Sequence, residues 1–153
     1  DQLRTEFTLD AFSTKNEVYN AIDNIGYLTG GTFTGFAIDF AMQSVFTSLS
    51  GERDGYPDLL VVVTDGLSSD DVSGPAATAR SQGVTIYAVG VGNDIDFNTL
   101  EQIAGLTSRV SQVSDFSNLV TLSQTLPQDI CTACYCGNPG APVNGYTRGG
   151  FFG

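Results

Sequence analysis

The 153-residue chain carries 17 acidic against 6 basic residues, a formal charge of −11 at pH 7, and no histidine. A surface this negative repels nucleic acid and anionic lipid at long range, which excludes both as partners, and it favours divalent cations or basic protein patches. Without imidazole there is no Ser-His-Asp or Cys-His catalysis and no zinc site that needs a histidine ligand. The length suits one domain with a real core. The chain opens without a secretion signal and has no apolar stretch long enough to cross a membrane, so direct membrane insertion is not expected.

In chain order, Leu3, Phe7 and Leu9 share one face at period two and predict a strand near a sheet edge. Thr14-Lys15-Asn16-Glu17 has the spacing of a capping box, and Val18, Ala21, Ile22 and Ile25 follow at helical intervals up to Gly26. A loop, Gly30-Gly31-Thr32-Phe33-Thr34-Gly35, precedes a helix expected to bury Ile38, Ala41, Met42, Val45 and Leu49. The apolar run of residues 59–63, too short for a membrane span and without alternation, predicts a strand covered on both faces in the middle of a parallel sheet. Asp65 and Gly66 follow it directly, placing a carboxylate at the carboxyl end of that strand, where open α/β sheets bind ligands. Asp-Gly is also a common turn dipeptide, so the position alone does not decide between a ligand and a turn.

Beyond Asp65, the polar run Ser68-Ser69-Asp70-Asp71 leads into a helix carrying Ala76, Ala79 and Arg80 and closed by Gly83. Residues 84–91 predict a second apolar strand, and Phe97, Leu100, Ile103 and Ala104 a short helix. Residues 109–113 predict a last, shorter strand, and Phe116, Leu119, Leu122 and Leu126 a final amphipathic helix. Strands alternating with helices across short loops imply an α/β sandwich built on a parallel sheet. Gly90-Val91-Gly92 resembles half a dinucleotide fingerprint, but the third glycine is missing and a strand-end turn accounts for it.

Past Pro127 the composition shifts to Gly, Pro, Asn and aromatics without helical period. All three cysteines, Cys131, Cys134 and Cys136, lie here. Three thiolates cannot complete a four-thiolate zinc site, and disulfides to partners elsewhere are the better reading, which implies an oxidising compartment. No Asn-x-Ser/Thr sequon is present to add support for secretion.

Thr32 and Asp65 are the residues that topology could bring to one sheet edge, where a hydroxyl and a carboxylate suit a hard cation such as Mg²⁺. Four stretches together resemble the von Willebrand factor A domain of the matrilin and collagen type. They are Arg4-Thr5-Glu6-Phe7-Thr8-Leu9, Gly30-Gly31-Thr32-Phe33-Thr34-Gly35-Phe36-Ala37-Ile38, Leu60-Val61-Val62-Val63-Thr64-Asp65-Gly66 and Gly83-Val84-Thr85-Ile86-Tyr87-Ala88-Val89-Gly90-Val91-Gly92. The resemblance implies a doubly wound, Rossmann-like α/β fold with a mainly parallel sheet and helices on both faces. It also implies a metal-ion-dependent adhesion site holding Mg²⁺. In that family the site draws on an Asp-x-Ser-x-Ser motif, a threonine of the Gly-Gly-Thr-x-Thr-Gly loop and an aspartate after the fourth strand. The threonine maps to Thr32, with Thr34 the alternative, and the aspartate to Asp65. No Asp-x-Ser-x-Ser occurs in the sequence, so the resemblance implies an A domain truncated at its amino end, its metal site incomplete.

Residues 136–146, together with Gly149-Gly150-Phe151-Phe152-Gly153, resemble the opening of a sushi, or complement control protein, module. The implied organisation is an A domain over residues 1–130, a linker at 131–135 and the start of a sushi module at 136–153. On this resemblance Cys136 pairs forward into that module, and Cys131 or Cys134 back to the start of the A domain. The implied function is an extracellular, non-enzymatic adhesion or matrix-interaction module. Its partners would be matrix or cell-surface proteins, and any homo-oligomer would form through other domains. Two alternatives stand beside it: a structural A domain with an inactive metal site, and the A domain of a complement-type mosaic protease. A Mg²⁺-dependent enzyme using Asp65 would need phosphate-binding lysines near the strand ends, and Lys15 is the only lysine.

Overall fold

The computed structural model describes residues 3–122 together with 124 and 126. The regular elements that lie wholly within the described residues follow one another as α1 Lys15–Asp23, α2 Thr34–Ser44, β1 Leu59–Thr64, α3 Ser73–Ser81, β2 Thr85–Val91, α4 Phe97–Ala104 and β3 Val110–Val113. Short 3₁₀ turns interrupt the connections at Ser48–Ser50, Thr107–Arg109 and Phe116–Asn118. Among the described residues the strands form one parallel sheet in the order β1-β2-β3, with Val62 opposite Ala88 and Ala88 opposite Val110.

The parallel α/β expectation holds, and the sheet owes it to β2. Tyr87, Ala88, Val89 and Val91 are all buried, so both faces of this strand are covered, as β-branched runs without alternation require. On one face Ile86 and Ala88 join Leu60 of β1, Ile38 and Ala41 of α2, Ala76 and Ala79 of α3, and Leu100 and Ile103 of α4 in a single apolar cluster. Alanine dominates the inward face of α3, and the short side chains let α2 and α4 pack closely against it on either side. Each fully buried Ile or Leu of this cluster contributes about 1.5–3 kcal/mol relative to exposure.

Three local expectations are corrected. Residues 3–9 form no strand: the chain bends at Glu6 and Phe7 and turns at Leu9 and Asp10. Local bonds win here over a ladder. Thr8 donates its hydroxyl to Asp10 at 2.8 Å, Arg4 pairs with Glu6, and Phe7 packs edge-on against Phe12 with centroids 5.3 Å apart. The amide of Leu9 donates to the carbonyl of Ser50 at 2.8 Å, which ties the segment to the turn after α2.

The second correction concerns β1, which lies at an edge of the described sheet. Among the described residues the strand pairs only with β2, and on the face where Val63 points the sheet leaves that side chain 50% exposed. The third is Leu49, which sits in the Ser48–Ser50 turn beyond the end of α2 and is 95% exposed. The helical period stops at Ser44, so Leu49 no longer follows it inward.

Helix α1 starts as its sequence dictates. Thr14 accepts from the Glu17 amide at 3.3 Å, and Glu17 accepts from the Thr14 amide at 2.9 Å. It ends at Asn24, two residues before the expected stop at Gly26, where the Asn24 side chain donates to the carbonyl of Asn20 at 2.6 Å. Its apolar positions Val18, Ala21 and Ile22 are half-buried. Of the expected final helix, residues 119–122, 124 and 126 are helical, while Phe116 lies before it in the Phe116–Asn118 turn. Residues 123, 125 and 127–130, the linker at 131–135 and the sushi-like residues 136–153 lie outside the described residues.

Candidate metal centre

Two loops meet at the carboxyl end of β1. One runs from Thr32 into α2; the other leaves β1 at Asp65 and enters α3 at Ser73. Both of the residues singled out from the sequence lie on them. Asp65 is exposed directly after the last residue of β1, and the turn at Gly66 is held by the Thr64 hydroxyl, which donates to the Gly66 carbonyl at 3.2 Å. Thr32 is half-buried, and its hydroxyl lies 3.9 Å from where a Cβ on Gly66 would stand. The carbonyl of Thr32 accepts from the Ser69 amide at 2.8 Å. The Thr32 hydroxyl thus lies beside Gly66, the residue that follows Asp65. Thr34, the alternative, is a buried first residue of α2 whose amide donates to the Ser68 hydroxyl at 2.8 Å.

Spacing had not marked Asp70, yet it organises the junction. Its carboxylate accepts from the Gly35 amide at 3.2 Å, the Phe36 amide at 2.7 Å and the Ser68 hydroxyl. Partial burial would raise its pKa, but the Ser68 hydroxyl and the two amides outweigh that and hold the carboxyl below its usual range. The only sequence signal was the polar run Ser68-Ser69-Asp70-Asp71. Nothing local tells that its third residue serves a helix more than thirty residues earlier. Asp71 stays with its own helix, accepting from the Ser73 and Gly74 amides at 3.0 and 3.1 Å at the start of α3.

As a donor set, Thr32 and Asp65 offer one hydroxyl and one carboxylate, both hard oxygens of the kind Mg²⁺ takes. They fit such an ion as two of its roughly six ligands. Among the described residues no three Asp, Glu, Cys or His side chains converge to hold a metal by themselves. Gly90-Val91-Gly92 forms no phosphate cradle: Gly90 belongs to β2, and the Gly92 amide donates to the Val113 carbonyl at 2.8 Å.

The model of the von Willebrand factor type A domain matches residues 1–125. The chain belongs to this family. Mouse matrilin-2 is 35% identical over 139 residues, covering 88% of this chain and 14% of that protein. The human collagen alpha-5(VI) chain is 38% identical over 136 residues, covering 89% of this chain and 5% of that one. This A domain therefore spans only a small part of the curated relatives it matches. Among solved structures, proximal thread matrix protein 1 from the mussel byssus, with a zinc-occupied MIDAS motif, superposes with a TM-score of 0.78 at 29% identity. The match covers 86% of this chain and 33% of that one. The likeness bears out the Rossmann-like α/β reading of the A domain.

Proposed function

We propose that this A domain is a non-enzymatic interaction module of an extracellular matrix or cell-surface protein, and that it engages partner proteins through a divalent cation held in part by Thr32 and Asp65. The observation that carries the reading is the approach of the Thr32 hydroxyl to Gly66, beside Asp65 at the carboxyl end of β1. The matrilin and collagen relatives support the extracellular setting, and the metal-bearing mussel matrix protein supports the cation. When bound, the ion would supply a positive centre that accepts a carboxylate from the partner. The protein side holds the Thr32 backbone through the Ser69 amide bonded to its carbonyl, and holds the turn after Asp65 through the Thr64 hydroxyl bonded to the Gly66 carbonyl. Thr32 is preferred to Thr34 because Thr34 is buried in the first turn of α2.

Mg²⁺ with few protein ligands stays largely hydrated and weakly held. Residues 1–153 alone should therefore show only diffuse, salt-screened attraction for Mg²⁺. A discrete, salt-resistant site should appear in the full-length protein if it supplies an Asp-x-Ser-x-Ser segment. Calorimetry on that protein decides the matter: Asp65→Ala should weaken Mg²⁺ binding while the fold persists. Binding equal to the parent's would leave Asp65 as a turn residue and favour a structural A domain with an inactive site.

For residues 136–153 the proposal is the opening of a sushi module, supported by the run Cys136-Gly137-Asn138-Pro139-Gly140. Peptide mapping of the secreted full-length protein should find Cys136 in a disulfide. A free thiol there would remove the assignment.

A further inference from the structure

We infer that Asp70 is a positioning residue of the Thr32–Asp65 site, locking the loop after β1 onto the amino end of α2 so that both candidate ligands are held as one unit. The inference rests on the cation-binding reading of that site.

Helix α2 needs outside help at its start. Its N-cap is Phe33, which has no side-chain oxygen to offer the free amides of the first turn. The loop between β1 and α3 supplies what is missing. The Thr34 amide donates to the Ser68 hydroxyl, and the Gly35 and Phe36 amides divide the two carboxylate oxygens of Asp70 between them. Ser68 donates its own proton to Asp70, so it can accept from Thr34 while remaining aligned. The Ser69 amide closes the set on the Thr32 carbonyl.

Residues 32, 34, 35 and 36 are thus all fastened to residues 68–70 by four bonds; Asp70 accepts two of them and also holds the Ser68 hydroxyl that accepts a third. Contact is close enough that a Cβ on Gly35 would stand 2.0 Å from the Asp71 carbonyl oxygen. Asp65 lies on the same loop as Asp70, three residues before Ser68, and Thr32 lies just before α2. Freeing Asp70 therefore frees the relative position of the two ligands without removing either. Removing a group bonded directly to a metal ligand commonly changes metal affinity about 10–100-fold. Asp70 acts one step further out, through Ser68 and the α2 amides, so the low end of that range applies.

The test uses the full-length protein, Mn²⁺ as the probe read by electron paramagnetic resonance, and amide exchange over residues 32–36. Asp70→Ala should weaken Mn²⁺ binding by about 10-fold, the low end of the range for groups bonded directly to a ligand, and speed exchange at residues 34–36. Asp70→Asn keeps one acceptor oxygen and should recover part of both, a graded rescue that general loosening of the fold would not give. Asp65→Ala should lose Mn²⁺ binding while exchange at residues 34–36 stays at the parent rate. If Asp65→Ala loses the ion but Asp70→Ala binds it as the parent does, the positioning role is overturned and the cation site stands. If Asp65→Ala binds Mn²⁺ like the parent, the cation reading falls and the positioning role with it, whatever the exchange shows.

Discussion

The guanidinium of Arg80, in the last turn of α3, donates to the carbonyl of Ile103, at the end of α4, over 2.6 Å. A second bond from the same nitrogen reaches the carbonyl of Gln102 at 2.9 Å. Both acceptors belong to the last turn of α4, where carbonyls have no partner within the helix and the helix dipole is negative. One cation therefore closes one helix while standing on another, and it fixes the spacing of α3 and α4 over the core.

Replacing Arg80 by alanine leaves those carbonyls without a charged donor and should destabilise the domain by about 1.5–3 kcal/mol, the range for hydrogen bonds to charged groups. Lysine offers a point charge without the planar fork and should recover only part of this. Urea unfolding reads the difference as a lower midpoint with an unchanged slope. An Arg80→Ala midpoint equal to the parent's would show that water serves the α4 carbonyls equally well.

Gly35 sets two effects of opposite sign against each other. Alanine within a helix is favoured over glycine by about 1 kcal/mol. At this position, however, the added Cβ would stand 2.0 Å from the Asp71 carbonyl oxygen and 2.9 Å from the Asp70 carboxylate. The first obstacle is backbone, which cannot rotate away, and such overpacking costs about 1–3 kcal/mol. Gly35→Ala should therefore lower the thermal midpoint, despite the better helix former. A raised midpoint would mean that the junction between α2 and the loop after β1 is looser than its geometry indicates.

What could be read in the sequence was what is local. The capping box at Thr14 and Glu17 formed as its spacing required, because both partners lie within one turn. The run at residues 59–63 became a strand with Asp65 at its carboxyl end, since β-branched residues and an Asp-Gly turn need no distant partner to be recognised. The rank of β1 in the sheet did not follow, because a run of apolar residues reports burial and says nothing of neighbours. Nor did Asp70: its amide partners, Gly35 and Phe36, lie across a whole helix and strand of intervening chain. Half of the candidate site was thus visible as ligand types in loops, and the half that holds the loops together was not.

The helical pattern predicts Leu49 to be buried and Ile103 to lie on a short helix, and the structure gives them opposite surroundings. Ile103 is fully buried in the cluster between α4 and β2, whereas Leu49 is 95% exposed. Ile103→Ala should cost about 2–5 kcal/mol, combining lost transfer energy with the cavity left behind. Leu49→Ala should stay within about 0.5 kcal/mol of the parent. Chemical denaturation of the two variants side by side measures both. A large loss at Leu49 would show that this side chain is covered in solution.

Acid should destabilise the domain through its helix caps. Asp96 is held below the usual carboxylate range by the amide and then the hydroxyl of Thr99, and Asp71 by the hydroxyl and amide of Ser73. Asp115 is lowered by the Ser117 hydroxyl against slight burial, and Asp70 by its bonds to Ser68, Phe36 and Gly35 against a larger burial penalty. A carboxyl with a depressed folded pKa stabilises fully above its unfolded value, near 3.8, and loses that contribution as pH falls through the folded value. Asp58 runs the other way: burial, then the charge of Glu52, pushes it up. Its contribution is present below the unfolded value and lost as pH rises through the folded one. The urea midpoint should therefore rise slightly on acidification through the raised Asp58 titration, then fall once the solution passes below about pH 4, where the four caps take up protons. Asp58→Asn should abolish the rise and leave the acid fall in place. If the fall instead begins near neutrality, some other group governs it, and the caps are not the source of the acid sensitivity.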